Sequence, residues 1–297
     1  MQKNIARSPI VKTLDTSVIG FTLILFVLTI FFQSIVENWM LVAAKFLAGA
    51  IGYFLLSSVI NRLTHTFWQT FSRSVLTAAS TGFLFSEIRH IQHIFVNGWM
   101  DHHLVNFDVW LLGIESTLAL QKITFPILTE GMMFAYTVYV PLIVLVALFC
   151  YQKSGIRGGE DYWLNLMLAY IVCYIGFLIF PIAGPLFHQP EVYTVPLKGG
   201  IFTWFGEWIR HNAHYPGGNF PSPHCAAGTI MLIMLYKYNR KVYFVILPMI
   251  ILLYISTVYG RYHFAMDGVA GIAAAFLVVK VSPKLVKCFS PKTVGAN

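Results

Sequence analysis

The residues able to do chemistry in this chain fall in two short fragments, "NFPSPHCAAG" (219–228) and "YGRYHFAMDG" (259–268). The first holds His224; the second holds Arg261, His263 and Asp267. Ser222 followed by Pro223 has the grammar of a helix start, an N-cap and then a proline whose missing N–H costs nothing. His224 then sits in a first turn, beside free backbone N–H groups. His263 opens another helical run, and Asp267, four residues on, shares its face. Helix starts attract anions through unpaired N–H groups and the helix dipole. Two such starts, each with a histidine, predict a phosphate pocket. In that pocket a neutral His263 is the nucleophile toward phosphorus, its other ring nitrogen held by Asp267. His224 is the general acid and then the general base. Arg261 offers a charge-assisted contact, and Ser222, Asn219 and Arg210 are the further candidates for substrate binding. A lone histidine at a helix start is ordinarily a cap or a packing residue, and Arg261 is an alternative ion-pair partner for Asp267. An acid one turn inside an apolar helix is nonetheless costly, which makes function the default reading for it.

The elements that must position these groups are apolar. The chain is 57% hydrophobic and 11% charged, against about 25% charged in soluble domains. Runs long enough to cross ~30 Å of hydrocarbon recur at 18–36, 41–60, 75–95, 126–150, 163–181, 223–238, 242–258 and 263–281. The fold class expected is therefore all-α, a polytopic integral membrane bundle of about eight transmembrane helices. The first run is too long for a signal-peptide core and lacks a small-x-small cleavage site, so it reads as a helix. Residues 1–74 read as an N-terminal helix pair and 75–297 as a six-helix membrane domain. Within the latter, 102–120 places Leu104, Phe107, Trp110, Leu111, Ile114 and Leu118 at helical spacing, with Asp108 and Glu115 elsewhere on the wheel. That suits a helix at the membrane surface or a packed connector. The segment 182–221, rich in Gly, Pro, Trp and His, is too long for a simple connection, and its aromatic content predicts a folded external lid.

The formal charge of +8 is set by topology. With the N-terminus inside, the inside segments collect Lys3, Arg7 and Lys12; Arg62 and Arg73; Lys153 and Arg157; Lys237, Arg240 and Lys241; Lys280, Lys284, Lys287 and Lys292. Only Lys122, Lys198, Arg210 and Arg261 fall clearly outside. This is the positive-inside pattern, not a nucleic-acid footprint. Both termini are expected in the cytoplasm and both histidine fragments on the opposite face. Cys150, Cys173, Cys225 and Cys288 show neither CxxC nor zinc spacing, and a thiol in a helix, Cys225 included, is usually a small apolar filler. His102–His103 and the set His188, His211 and His214 also lack metal-ligand spacing and read as solvated loop residues. No metal or cofactor is expected.

The paired fragments resemble the type 2 phosphatidic acid phosphatase superfamily, with its P-S-x-H motif and its R…H-x-x-x-D motif at the starts of two helices. Their "FPSPH" and "HFAMD" are most similar to the branch of inositol phosphorylceramide and sphingomyelin synthases. "FDVWLLGIES" (107–116) and "FPIAGPLF" (180–187) resemble further segments of that branch. The resemblance spans about 100–275. It implies a six-helix core, a luminal or periplasmic active site and a phosphohistidine intermediate formed without metal on His263, with His224 and Asp267. Three departures bear on substrate. Where the superfamily's phosphatases carry K-x6-R-P, this chain has "YIGFLIFPIAGP", with no cation. The position six before the second histidine is Thr257 rather than arginine, and Pro223 replaces a glycine. Fewer cations mean a weaker grip on a dianionic phosphomonoester, which favours a phosphodiester lipid donor and transfer to an acceptor alcohol. A plain lipid phosphatase is the alternative. A transporter would instead carry charged or broken helices at mid-membrane.

The charge pattern makes a direct prediction. In intact cells Thr194→Cys should react with a membrane-impermeant thiol reagent and Lys153→Cys should not. The reverse pattern would invert the topology.

Overall fold

The computed structural model describes residues 8–213 and 215–290; Lys3, Arg7, His214 and Lys292 lie outside them. The helices are α1 (Pro9–Phe31), α2 (Trp39–Ile60), α3 (Thr66–Ile88), α4 (Asp101–Leu112), α5 (Ser116–Gln121), α6 (Pro126–Ile179), α7 (Pro185–His188), α8 (Ile201–Ala213), α9 (Pro223–Tyr238), α10 (Arg240–Tyr259) and α11 (Ala265–Cys288). Among the described residues there is no strand.

Five of these helices (α1, α2, α6, α10 and α11) are long and apolar enough to cross a membrane, and the protein is an integral membrane helical bundle. The 54-residue α6 is two arms hinged at Gly155, whose φ of 62° and ψ of −156° are not helical. The arms, 126–154 and 156–179, turn back on each other. The Tyr162 hydroxyl donates to the Ile143 carbonyl at 2.8 Å, and the Tyr139 and Tyr170 hydroxyls hydrogen-bond. The hinge needs glycine twice. Gly155 takes the positive φ, and a Cβ on Gly158 would meet the Cys150 carbonyl oxygen at 2.5 Å. The sequence expectation of two separate runs with a polar loop between them is thus replaced by a nearly continuous helical hairpin.

α6 is the hub, packing against α1, α3, α8, α9, α10 and α11. α3 is inside-out by the standards of a soluble helix: Arg73, Ser74, Thr77 and Thr81 are buried, while Phe67, Trp68, Phe71 and Val75 face outward. Two positions on this buried side are tied to the second arm of α6. The Trp163 indole donates to Ser74 Oγ at 2.7 Å, and the Tyr174 hydroxyl donates to the Thr81 carbonyl at 2.7 Å. Such cross-helix hydrogen bonds hold helices together where lipid removes the hydrophobic drive.

Two expected boundaries move for the same reason. α1 begins at Pro9, capped by Ser8, rather than at 18, and α3 begins at Thr66 rather than 75. The charges that made those stretches look like flanks neutralise each other. Asp15 and Arg73 are buried and pair at 2.8 Å, with Tyr53 donating to the same carboxylate at 3.1 Å. Arg73, counted above among cytoplasmic flanks, is therefore an interior residue of α3.

The single helix expected over 102–120 is two. Gly113, at φ 74°, ends α4, and α5 starts at Ser116. The polarity of α4 also runs opposite to a soluble helix. Asp101 and Asp108 are fully buried, whereas Trp110 is 76% exposed and Leu111 and Leu112 more than half exposed. The apolar face looks outward, as a lipid-facing helix requires. The segment 182–221 is folded, with α7, a 3-10 turn (Pro190–Val192) and the 13-residue α8 inside it.

Candidate active site

The two fragments meet where α9 and α11 begin. The Ser222 hydroxyl accepts from the Cys225 amide at 3.4 Å and Pro223 occupies the first turn, so α9 starts as its sequence dictates. On the other side α10 ends at Tyr259, and Arg261 takes a positive φ of 63°. That turn lets the amides of Tyr262 and His263 both donate to the Thr257 carbonyl, at 3.0 and 3.1 Å. α11 then begins with Asp267 as the acid of its first turn. One carboxylate oxygen, Oδ2, accepts the Phe264 amide at 2.9 Å and the His263 ring nitrogen Nδ1 at 3.2 Å. Oδ1 is buried without a hydrogen-bond partner. The Ser222 amide donates to the Asp267 carbonyl at 2.9 Å, tying one fragment to the other. Close approach depends on Gly271, where a Cβ would lie 2.3 Å from the Ser222 carbonyl oxygen.

The result is a relay. Asp267 holds Nδ1 of His263, and Nε2 of His263 lies 3.2 Å from Nδ1 of His224. A carboxylate on Nδ1 fixes the proton there and leaves Nε2 with its lone pair. His263 and Asp267 are buried and His224 is partly exposed. Burial pushes the His263 imidazole down to about 3, so the ring is neutral at ordinary pH.

His224 and His263 both line a cavity of about 160 Å³ walled by α3, both histidine fragments, the first arm of α6 and α8. His224 is held between two rings of α6, with centroids 5.0 Å from Tyr136 and 5.0 Å from Tyr139. Tyr136 stacks in turn on Tyr262 at 4.2 Å, with planes 5° apart. Among the described residues Arg210 of α8 is the one Lys or Arg lining this cavity, and it pairs with Glu207 on its own helix. A larger cavity of about 560 Å³ lies between Ser8, Arg157, Glu160 and Ser290. It contains no histidine, and chemistry selects the smaller one.

The structure brings His224, His263 and Asp267 together and sets Arg210 and Asn219 on the same wall. It turns two other candidates elsewhere. The Ser222 hydroxyl is occupied as a helix cap. The Arg261 guanidinium lies 4.7 Å over the Tyr193 ring and donates to Gln121 at 3.2 Å and to the Val195 carbonyl. Its charge serves the 193–195 loop rather than the cavity. The Asn219 amide is committed as well, donating to the carbonyls of Ile182 and Ala183 at 3.3 and 2.8 Å.

The supports were not visible as chemistry in the sequence. Asp101 accepts the amides of Ala183 and Gly184, both at 2.8 Å, and so holds the Pro-rich turn against α4. Asp108 accepts from the Ser116 hydroxyl, and both groups take the Ala265 amide at the start of α11. The His102 and His103 rings lie against each other, and His103 lies against Phe180. No group of three or more His, Cys, Asp or Glu among the described residues has metal-binding geometry.

Residues 102–281 match the PAP2 superfamily. The match covers more than half of the chain, and the protein belongs to that superfamily. It is therefore of a class of membrane enzymes with phosphatase-type or phosphotransferase-type activity on lipids. It leaves α1, α2 and α3 outside. No curated protein and no solved structure matched the chain.

The depressed His263 titration predicts a pH signature. An ordinary histidine protonates near 6.5, whereas folded His263 resists down to about 3. Between those values the unfolded chain binds a proton that the folded chain does not, so stability is full above pH 6.5 and falls as pH drops. By pH 5 the loss from this residue is ~2 kcal/mol. The thermal midpoint of the wild type in detergent should fall more steeply from pH 7.5 to 5 than that of His263→Asn. Parallel curves would mean that the imidazole is not buried.

Proposed function

We propose that this protein is a lipid phosphotransferase that moves a phosphorylated head group from a phosphodiester lipid to an acceptor alcohol through a phosphohistidine on His263. The observation that carries the reading is the hydrogen-bonded series Asp267–His263–His224 at the wall of a cavity whose lining, among the described residues, offers one Lys or Arg, Arg210. Nε2 of His263 attacks phosphorus, and the bond from phosphorus to the departing alcohol oxygen breaks. Protonated His224 gives its proton to that oxygen. The ring of His263 becomes positive as it is phosphorylated, and the Asp267 carboxylate steadies it. His224, now neutral, takes the proton from an acceptor hydroxyl, whose oxygen attacks phosphorus and restores Nε2. The proton returns to where it began, and no other reactant is required.

The choice of a diester rests on charge. A phosphomonoester dianion needs more positive charge than one guanidinium. The stretch 174–185, where phosphatases of the family carry a lysine and an arginine, has none. Asp101 and Asp108, both buried and close enough to act on Asp267, add negative field that further disfavours a dianion. The similarity of "FPSPH" and "HFAMD" to inositol phosphorylceramide and sphingomyelin synthases supports the same preference. The alternative, hydrolysis of phosphatidate or a polyprenyl (pyro)phosphate, uses the same phosphohistidine with water as acceptor. The site is assigned to the periplasmic, extracellular or luminal face, opposite the cytoplasmic termini, from the basic-residue pattern.

Purified protein is expected to transfer head groups from labelled phosphatidylinositol, phosphatidylethanolamine or phosphatidylcholine to a ceramide or diacylglycerol faster than it releases phosphate from phosphatidate or polyprenyl pyrophosphate. His224→Ala, His263→Ala and Asp267→Ala should each lower turnover at least ~100-fold. Dominant phosphate release with no acceptor-dependent product would make the enzyme a phosphatase.

A further inference from the structure

Glu130 lies in the first arm of α6, on an apolar span, and takes no part in the relay described above. Its carboxylate accepts the backbone amides of Gly200, Phe202 and Thr203 at 2.6, 2.7 and 3.0 Å, and the Thr203 hydroxyl at 2.7 Å. Both oxygens are used. These donors are the free N–H groups that begin α8, so an ionised carboxylate from one helix caps the start of another. The fit needs the pair Gly199–Gly200. A Cβ on Gly199 would stand 2.9 Å from the same carboxylate.

From this anchor α8 runs along α6. Phe202 packs edge-on to Phe134 with centroids 4.8 Å apart, and Gly206 lies against Met133. Ile209 and Arg210 then reach the catalytic cavity beside Tyr136 and Val140. At 1.5 Å per residue the capped end and Arg210 are roughly 15 Å apart. The outward face of α8 is apolar: Ile201, Trp204, Phe205 and Trp208 are all exposed. That face makes no packing on the protein, so the contacts on the other side of the helix decide where it sits. The Glu130 carboxylate supplies four of them.

We propose that Glu130 is a positioning residue for the reaction: by capping α8 it fixes the place and rotation of that helix and holds Arg210 over the phosphorus-binding cavity. The assignment of Arg210 to substrate rests on the proposed function; the anchoring of α8 by Glu130 does not. The cap sets how well the anionic group is held and leaves the His263–His224 chemistry in place. Its loss therefore raises KM and spares kcat.

The test uses the full chain in lipid nanodiscs as wild type, Glu130→Ala, Arg210→Ala and the double variant. Hydrogen exchange is read across 200–212, orthovanadate serves as the phosphate-like probe, and KM and kcat are measured on the labelled phospholipids above. Glu130→Ala should speed exchange at Phe202 and Thr203 at least tenfold with α9, α10 and α11 unchanged. It should weaken orthovanadate binding and raise KM about tenfold, with kcat within about threefold. The double variant should be no worse than Arg210→Ala, since both act through one guanidinium. If Glu130→Ala does not fold, Thr203→Val, which removes only the hydroxyl donor, should move the same readouts in the same direction by about two- to threefold. Unchanged exchange, or losses that multiply in the double variant, would overturn the proposal. Exchange and orthovanadate binding need no turnover, so a chain inactive on every donor would sink the proposed reaction and still decide the role of Glu130.

Discussion

A single carboxylate oxygen organises the catalytic end of this molecule. Oδ2 of Asp267 accepts the Phe264 amide, which starts α11, and Nδ1 of His263, which orients that imidazole. Folding and chemistry are thereby joined. α11 cannot begin where it does without placing that oxygen beside the imidazole. The Asp267 carbonyl in turn accepts the Ser222 amide, so the residue that orients His263 also fixes the start of α9 and with it His224. A polar group this deeply buried is costly unless hydrogen-bonded, and that cost favours the geometry in which Oδ2 keeps both donors.

The same device recurs around the site. Asp101 holds the amides of Ala183 and Gly184, Asp108 reaches the Ala265 amide, and Glu130 caps α8. In each case an acid on one helix takes backbone N–H groups of another segment. Within a bilayer every backbone polar group must find a partner inside the protein, and four short acidic side chains meet that demand at the irregular backbone where the reacting groups are gathered. Arg73 with Asp15 does a comparable job among α1, α2 and α3, at a distance from the chemistry.

What could be read from the sequence was what is local. The i,i+4 spacing of His263 and Asp267, the Ser222–Pro223 helix start and the apolar runs all follow from neighbours along the chain. Arg210 could be named as a substrate-binding candidate, but its place on the cavity wall depends on how α8 packs on α6. Glu130, Tyr136 and Tyr139 were hidden because they sit in an apolar run and act through partners far away in sequence: Glu130 on 200–203, the two tyrosines on His224. Asp108 looked like the solvent side of a surface helix because its partner, the Ala265 amide, is 157 residues away. Arg261 misdirected for the opposite reason. It stands two residues from His263, yet its positive φ and the Tyr193 ring carry its guanidinium off the cavity wall. Adjacency along the chain is a poor guide to direction in a turn.

The covalent step is the most direct point at which to test this account. Purified protein would be incubated with phospholipid carrying a labelled head-group phosphate, without acceptor, then digested at neutral pH, where phosphohistidine survives, and mapped by fragmentation mass spectrometry. The account predicts a phosphorylated group on Nε2 of His263, removed by His263→Asn and discharged when an acceptor alcohol is added. Label on His224, or full turnover with no adduct on any histidine, would contradict it.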